Sequence, residues 1–238
     1  MKAKAEPSAI EARLAAIDWT RAAAELDASG RTIFPGLLAP AECAAIAALY
    51  DDDRRFRSHV VMARHGFGSG EYKYFAHPLP PVVTRLRTAL YPRLVPVANR
   101  WNEAMGLDVR FPPALTTFLR RCHEAGQAKP TPLLLRYGAG DFNALHQDVY
   151  GEHLFPLQVA ILLAAPGEDF EGGEFVLSEQ RPRMQSRVEV VPLRQGDAVA
   201  FAVRHRPVAG GRGVYRVQMR HGVSRMRSGS RHTLGIIF

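Results

Sequence analysis

His146-Gln-Asp148, then His221 73 residues after Asp148, then Arg231 after ten more, are the residues of this chain whose types and spacing can do chemistry together. Two imidazoles and one carboxylate form the ligand set of a mononuclear non-haem Fe(II) site that keeps positions open for other ligands. A following arginine suits the carboxylate of an organic co-substrate held at that metal, because a guanidinium offers two parallel donors to two oxygens. An H-x-D motif alone is weak, and a lone histidine is just as easily a satisfied core residue. The ordered set in a strand-rich stretch is what carries weight. On an extended strand, positions i and i+2 share a face, so His146 and Asp148 can meet one ion while Gln147 points away.

These residues need a scaffold. From Leu133 onward the chain reads as short apolar runs: 133–137, 157–163, 174–177, 188–191, 198–203, 215–221 and 233–238. Gly138-Ala-Gly140-Asp141, Pro166-Gly167, Gly172-Gly173, Gln195-Gly196-Asp197 and Gly210-Gly211 separate them as turns. Many short strands at this spacing argue for an antiparallel sandwich or barrel. Residues 1–130 read as helical, with one amphipathic helix over 10–28 stopped by Gly30, and others over 40–49, 82–105 and 112–125. Pro92 and Pro96 should break or kink the third of these. Residues 58–75 are strand-like, with Gly66, Gly68 and Gly70 between aromatics. The fold class is therefore α+β. Residues 1–130 form a helical region with a substrate loop, packed in the same unit as a β-core over 131–238.

With 238 residues, 47% of them hydrophobic, the chain can fill one core with a helical annex. Cys43 and Cys122 lack zinc-site spacing and read as reduced thiols. Residues 1–7 lack the apolar core of a signal peptide, and the longest apolar run, 159–165, is too short to cross a bilayer. The expectation is a cytoplasmic protein with no membrane contact. Net charge is +8, and between Arg181 and His232 stand twelve arginines, no lysine and only two acids, Glu189 and Asp197. Either these arginines decorate strand faces, or they form one basic face for a polyanion such as nucleic acid.

The motif set resembles that of the Fe(II)- and 2-oxoglutarate-dependent dioxygenases, whose core is a double-stranded β-helix, or jelly roll. The resemblance covers roughly residues 131–238. It implies that His146, Asp148 and His221 hold Fe(II). It implies that Arg231 binds the distal carboxylate of 2-oxoglutarate, with O2 as the second co-substrate. Thr233, on the same strand face, could add a hydroxyl. Tyr137 matches the position of a co-substrate-binding tyrosine, or is a core aromatic. The family couples oxidative decarboxylation of 2-oxoglutarate to hydroxylation of a C–H bond.

Two branches of the superfamily compete for the substrate. Phe170-Glu-Gly-Gly-Glu-Phe175, Arg194-Gln-Gly-Asp-Ala-Val-Ala-Phe201, Ser228-Gly-Ser-Arg231 and the early Phe34-Pro-Gly-Leu-Leu resemble the prolyl 4-hydroxylase type. The run from Arg136 through Asp148, then Pro156 to Leu163, resembles the AlkB-type alkylation-repair enzymes. So does Ala63-Arg-His-Gly-Phe-Gly-Ser-Gly-Glu-Tyr-Lys-Tyr74, which is similar to their nucleotide-recognition loop. That likeness implies Arg64, His65, Tyr72 and Tyr74 as contacts to a flipped base. The repair branch carries a second arginine six residues after the co-substrate arginine, where this chain has Ile237. The favoured expectation is oxidative repair of alkylated or damaged DNA, with a protein or peptide prolyl hydroxylase as the alternative. A basic binding module without catalysis is a third reading, against which the complete ligand set argues.

Overall fold

A computed structural model describes residues 9–211 and 213–238. The amino-terminal residues 1–7 and Arg212 of the basic stretch, both used in the sequence reading, lie outside the described residues. Among the described residues the α-helices are α1 (Ala9–Ala15), α2 (Trp19–Ser29), α3 (Pro40–Ala47), α4 (Pro81–Ala104) and α5 (Leu115–Glu124). The strands up to the core are β1 (Arg31–Phe34), β2 (Phe56–Val61), β3 (Gly68–Ser69) and β4 (Glu71–Phe75). There follow β5 (Leu133–Tyr137), β6 (Phe142–His146), β7 (Leu157–Leu162), β8 (Phe170–Gly172), β9 (Phe175–Gln180) and β10 (Arg187–Val191). The last are β11 (Ala198–Ala202), β12 (His205–Gly210), β13 (Gly213–Val223), β14 (Met226–Gly229) and β15 (Arg231–Ile236).

All named strand pairs are antiparallel. The large sheet runs β1-β11-β7-β15-β5-β4-β2, and the smaller one β10-β9-β13-β6-β3 with β12 beside β13. The architecture is the α+β jelly roll that the sequence led us to expect. Its central strands show why a continuous apolar run belongs here: β7 is buried along its whole length because both of its faces are covered. Leu157, Val159 and Ile161 pack with Ala198, Ala200, Ala202, Leu234 and Ile236 against the helices. The alternate residues Ala160, Leu162, Val199 and Phe201 face the interior between the sheets, together with Phe175, Leu177 and Val223. The period of two therefore sorts each strand of the large sheet into a helix side and a cavity side. Arg231 and Thr233 fall on the cavity side of β15, opposite Tyr137 and Leu135 of β5 in the register.

Three local expectations need correction. The helix read over 10–28 is two helices, because Asp18 takes the N-cap conformation and accepts from the Arg21 amide at 2.9 Å. Gly30 then closes α2 at φ 77°, as expected of a C-cap glycine. Pro92 and Pro96 do not break α4, which runs through both. They lie four residues apart on its exposed side, where water can satisfy the carbonyls that lose their donors. Finally, α5 starts at Leu115 rather than at Pro112. Within residues 31–75, β1, β2 and β4 extend the large sheet and β3 extends the small one. No helix among the described residues is long and apolar enough to cross a membrane.

Candidate metal centre and substrate cavity

His146 ends β6 and His221 stands opposite it on β13, in register. The imidazole centroids are 4.2 Å apart. Asp148 lies two residues past the end of β6, so strand alternation is not what aims it. Gln147 does that: its amide donates to the carbonyls of Met219 at 2.7 Å and Arg204 at 3.3 Å, which turns the chain back at this point. The Asp148 oxygens then sit 3.4 Å from Nε2 of His146 and 3.4 Å from Nε2 of His221. The ligand atoms of all three residues lie within 4.8 Å of one another. Nδ1 of His146 is 2.7 Å from the Ala144 carbonyl, an acceptor, so it carries a proton there and turns Nε2 toward Asp148 and a metal position. Phe175 and Phe201 flank the His221 ring and keep it dry.

The electrostatics suit a cation between these side chains. Burial alone would raise the Asp148 carboxyl, but the hydrogen bonds from His146 and His221 outweigh it and hold the group far below the usual carboxylate range. Burial also pushes the His221 imidazole down, whereas in His146 the Asp148 carboxylate outweighs burial and raises it. An ionised carboxylate between two imidazoles in this geometry could hold one divalent metal with positions left open.

Arg231 is 2% exposed, yet no carboxylate among the described residues lies within ion-pair reach of it. Its Nη1 donates to the Thr233 hydroxyl at 2.7 Å, its Nε has no partner, and its guanidinium carbon lies 5.6 Å from the Tyr137 ring centroid. Burial pushes its pKa down from 12.5 to about 10. A buried guanidinium with no carboxylate partner is unfavourable until an anion meets it. Gly173 makes room for it: at φ 61°, a Cβ there would strike Met226 Sδ and come within 3.1 Å of Arg231 Cδ.

One cavity of about 260 Å³ is lined by His146, Asp148, His221, Arg231, Thr233 and Tyr137. It thus collects every metal and co-substrate residue expected from the sequence. Tyr137 is buried, and its hydroxyl accepts from the Asn143 amide at 3.2 Å. Of the four expected substrate contacts, Tyr72 and Tyr74 line the same cavity, edge to face with centroids 5.5 Å apart. Arg64 and His65 do not line it; they lie exposed on a single 3₁₀ turn, with His65 stacked on Phe67 at the cavity wall. Ile237 lines the cavity too, and its carbonyl accepts from Arg87 of α4 at 3.0 Å.

Asn143 and Tyr150 were not foreseen. By simple alternation Asn143 should face away from His146. The register from His221↔His146 to Val223↔Asn143 sets three residues of β6 against two of β13, a bulge that turns Asn143 inward. Gly222 is its sequence trace, since a Cβ there would lie 2.6 Å from the Asn143 carbonyl. Tyr150 donates to Asp148 at 3.1 Å from an irregular segment with no periodic signal.

Five arginines of the stretch 181–232 are engaged within the protein. Arg181, Arg187 and Arg206 converge on Glu179, Arg216 donates to the Met105 carbonyl, and Arg227 lies 3.9 Å from both Glu171 and Glu174. Three acids just upstream, Glu171, Glu174 and Glu179, thus offset part of the excess.

Residues 70–238 match the family profile Oxygenase-NA, described as "Oxygenase, catalysing oxidative methylation of damaged DNA". An uncharacterized protein of Mycobacterium tuberculosis is 49% identical over 164 residues, covering 69% of this chain and 70% of that one. Among solved structures, a Pseudomonas putida prolyl-4-hydroxylase aligns with a TM-score of 0.56 at 14% identity, over 92% of this chain and 97% of its own. An oxidoreductase of the 2OG-Fe(II) oxygenase family from Burkholderia pseudomallei aligns with a TM-score of 0.54 at 18% identity, over 93% and 91%. At these identities the structural matches speak for the fold.

Proposed function

Because this chain belongs to the Oxygenase-NA family of oxygenases, we propose that it is an Fe(II)- and 2-oxoglutarate-dependent dioxygenase acting on damaged or alkylated nucleic acid. One observation carries the reaction class. A buried arginine without a carboxylate partner shares a cavity with a two-histidine, one-aspartate cluster. The cluster needs a metal and the arginine needs a carboxylate, and 2-oxoglutarate supplies a carboxylate at each end of one molecule.

In this reading His146, Asp148 and His221 hold Fe(II), while Arg231 and Thr233 hold the distal carboxylate, with Tyr137 beside them. When bound, the metal and co-substrate supply O2-dependent oxidation of a C–H bond, coupled to conversion of 2-oxoglutarate to succinate and CO2. The remaining work is done by the chain. The Ala144 carbonyl fixes the His146 tautomer, and the Tyr150 hydroxyl and Gln147 set Asp148 in place. Phe175 and Phe201 exclude water beside His221. The flat rings of Phe67, Tyr72 and Tyr74 wall the cavity, and aromatic walls suit a planar base taken out of its stack. The family description supports the same substrate class.

The test is succinate release measured with Fe(II), 2-oxoglutarate and a panel of alkylated oligonucleotides and proline peptides. Release stimulated by an alkylated oligonucleotide is expected. Stimulation by proline peptides alone would move the protein to the prolyl-hydroxylase alternative.

A further inference from the structure

A second cavity, of about 570 Å³, adjoins the first and shares Phe67, Tyr72, Tyr74, Tyr150 and Ile237 with it as a common wall. The two cavities differ in charge. The first holds the Asp148 carboxylate, whereas the second is lined by Arg57, Arg87, Lys129, His77 and His123 and by no Asp or Glu side chain. Arg87 is only 5% exposed, and its hydrogen bonds, to the Ile237 carbonyl at 3.0 Å and the Thr131 hydroxyl at 3.0 Å, go to neutral groups. Arg57 donates to the Pro130 carbonyl and lays its guanidinium over the Tyr74 ring at 4.4 Å. None of Arg57, Arg87 and Lys129 has a carboxylate partner among the described residues. A fixed, largely buried cation with neutral partners, in a cavity without Asp or Glu side chains, is the arrangement of an anion seat.

We propose that this second cavity is a phosphate-binding subsite, which holds a phosphate group of the substrate while the attached base enters the metal-bearing cavity across the tyrosine wall. The inference rests on the nucleic-acid reading and adds to it a place and a residue set for the backbone charge. Arg87 of α4 brings a cation to the carbonyl of Ile237, the residue that stands where a second arginine was expected. The cavity wall also couples the subsite to the metal cluster. Gln127, in the wall of the second cavity, donates to the carbonyl of His153 at 3.2 Å and accepts from its amide at 2.8 Å, which ties down the irregular segment carrying Asp148 and Tyr150.

The test uses the full chain loaded with Mn(II) and 2-oxoglutarate. Anisotropy of a short fluorescein-labelled single-stranded DNA is read across stepped NaCl concentrations. Arg87→Met can fail to fold, because Arg87 also anchors the carboxy-terminal segment. The exposed variants Lys129→Gln and Arg57→Gln therefore carry the experiment. Each should weaken DNA binding by about three- to tenfold and reduce the log–log salt slope by about 0.7. Thymidine 5′-monophosphate should compete where thymidine does not. Competition by an unlabelled strand without terminal phosphate identifies the internal phosphodiester as the natural occupant, and competition by the monophosphate alone identifies a terminal phosphate. Wild-type affinity and slope in both variants would overturn the proposal, as would equal competition by thymidine, or displacement by an acidic proline peptide but not by the monophosphate. Failure of the parent reading looks different: no oligonucleotide stimulates succinate release, yet DNA binding still depends on Lys129 and salt. In that case the subsite stands and the reaction assignment falls.

Discussion

Replacing Arg231 by methionine should move stability and co-substrate affinity in opposite directions. In the ligand-free protein the guanidinium has one hydroxyl partner and an orphaned Nε in a 2% exposed site. Burial holds its pKa at about 10, against 12.5 for the free group, which corresponds to roughly 3 kcal/mol against the charged form. Arg231→Met removes that penalty and keeps an unbranched stem, but loses the Thr233 hydrogen bond, worth about 1 kcal/mol, and the contacts with Tyr137 and Phe170. A net gain of about 1–2 kcal/mol remains, so the Tm of the metal-free variant should rise by roughly 2–8 °C. Binding of 2-oxoglutarate should weaken by about 2–5 kcal/mol, the usual result of truncating one partner of a buried charged pair. That is roughly 30-fold to several thousand-fold in Kd. Differential scanning fluorimetry reads the first quantity. Fluorescence titration with 2-oxoglutarate in the presence of redox-silent Mn(II) reads the second. A variant that melts below wild type and binds 2-oxoglutarate within twofold of it would refute the reasoning, because Arg231 would then be a satisfied structural residue.

Other perturbations test separate parts of the molecule. Gly173→Ala, which forces a methyl between Met226 and Arg231 at a φ of 61°, should destabilise the fold by about 1–3 kcal/mol and weaken 2-oxoglutarate binding at least about tenfold, read in the same two assays. Tyr74→Ala removes a ring from the wall between the cavities and should raise the oligonucleotide KM by roughly 5- to 150-fold, the equivalent of about 1–3 kcal/mol of lost stacking, in succinate-release kinetics, with less effect on kcat. Burial would raise the Glu179 carboxyl, but hydrogen bonds from Arg206 and Arg181 outweigh it and keep the group below its ordinary 4.5. A carboxyl held low in the folded state stabilises above its unfolded pKa and loses that contribution as pH falls through the folded value. Glu179→Gln, which strands the 1% exposed Arg206, should therefore cost about 3–5 kcal/mol at pH 7. The gap to wild type in denaturant melts should narrow as the pH drops below 4.5.

The His146, Asp148 and His221 cluster was legible because these residue types are rare in combination, although the bonds of Gln147 and not strand alternation aim Asp148. Arg231 and Thr233 share the cavity face of β15 just as a period of two requires. The large-sheet strands were legible too, because β7 and β11 are covered on both sides and read as unbroken apolar runs. Three kinds of feature escaped. Breaks of regularity hide in local geometry: the β6 bulge turns Asn143 inward, and the Asp18 cap splits a continuous apolar stripe. Proline in α4 misled because its effect depends on which side of the helix meets water. Charge misled because sequence distance is not spatial distance. Four of the arginines around His221 meet Glu179, Glu171 or Glu174, while the second cavity draws its cations from residues 57, 87 and 129.

The most direct test of the central claim is an anaerobic titration of the metal-free protein with Fe(II) and then 2-oxoglutarate, followed by visible absorption. A charge-transfer band should appear only when both are present, be absent in His146→Ala, and give way to succinate when O2 is admitted. A colourless mixture that consumes no 2-oxoglutarate on exposure to O2, with correctly folded protein, would contradict the assignment of His146, Asp148, His221 and Arg231 to one oxygenase centre.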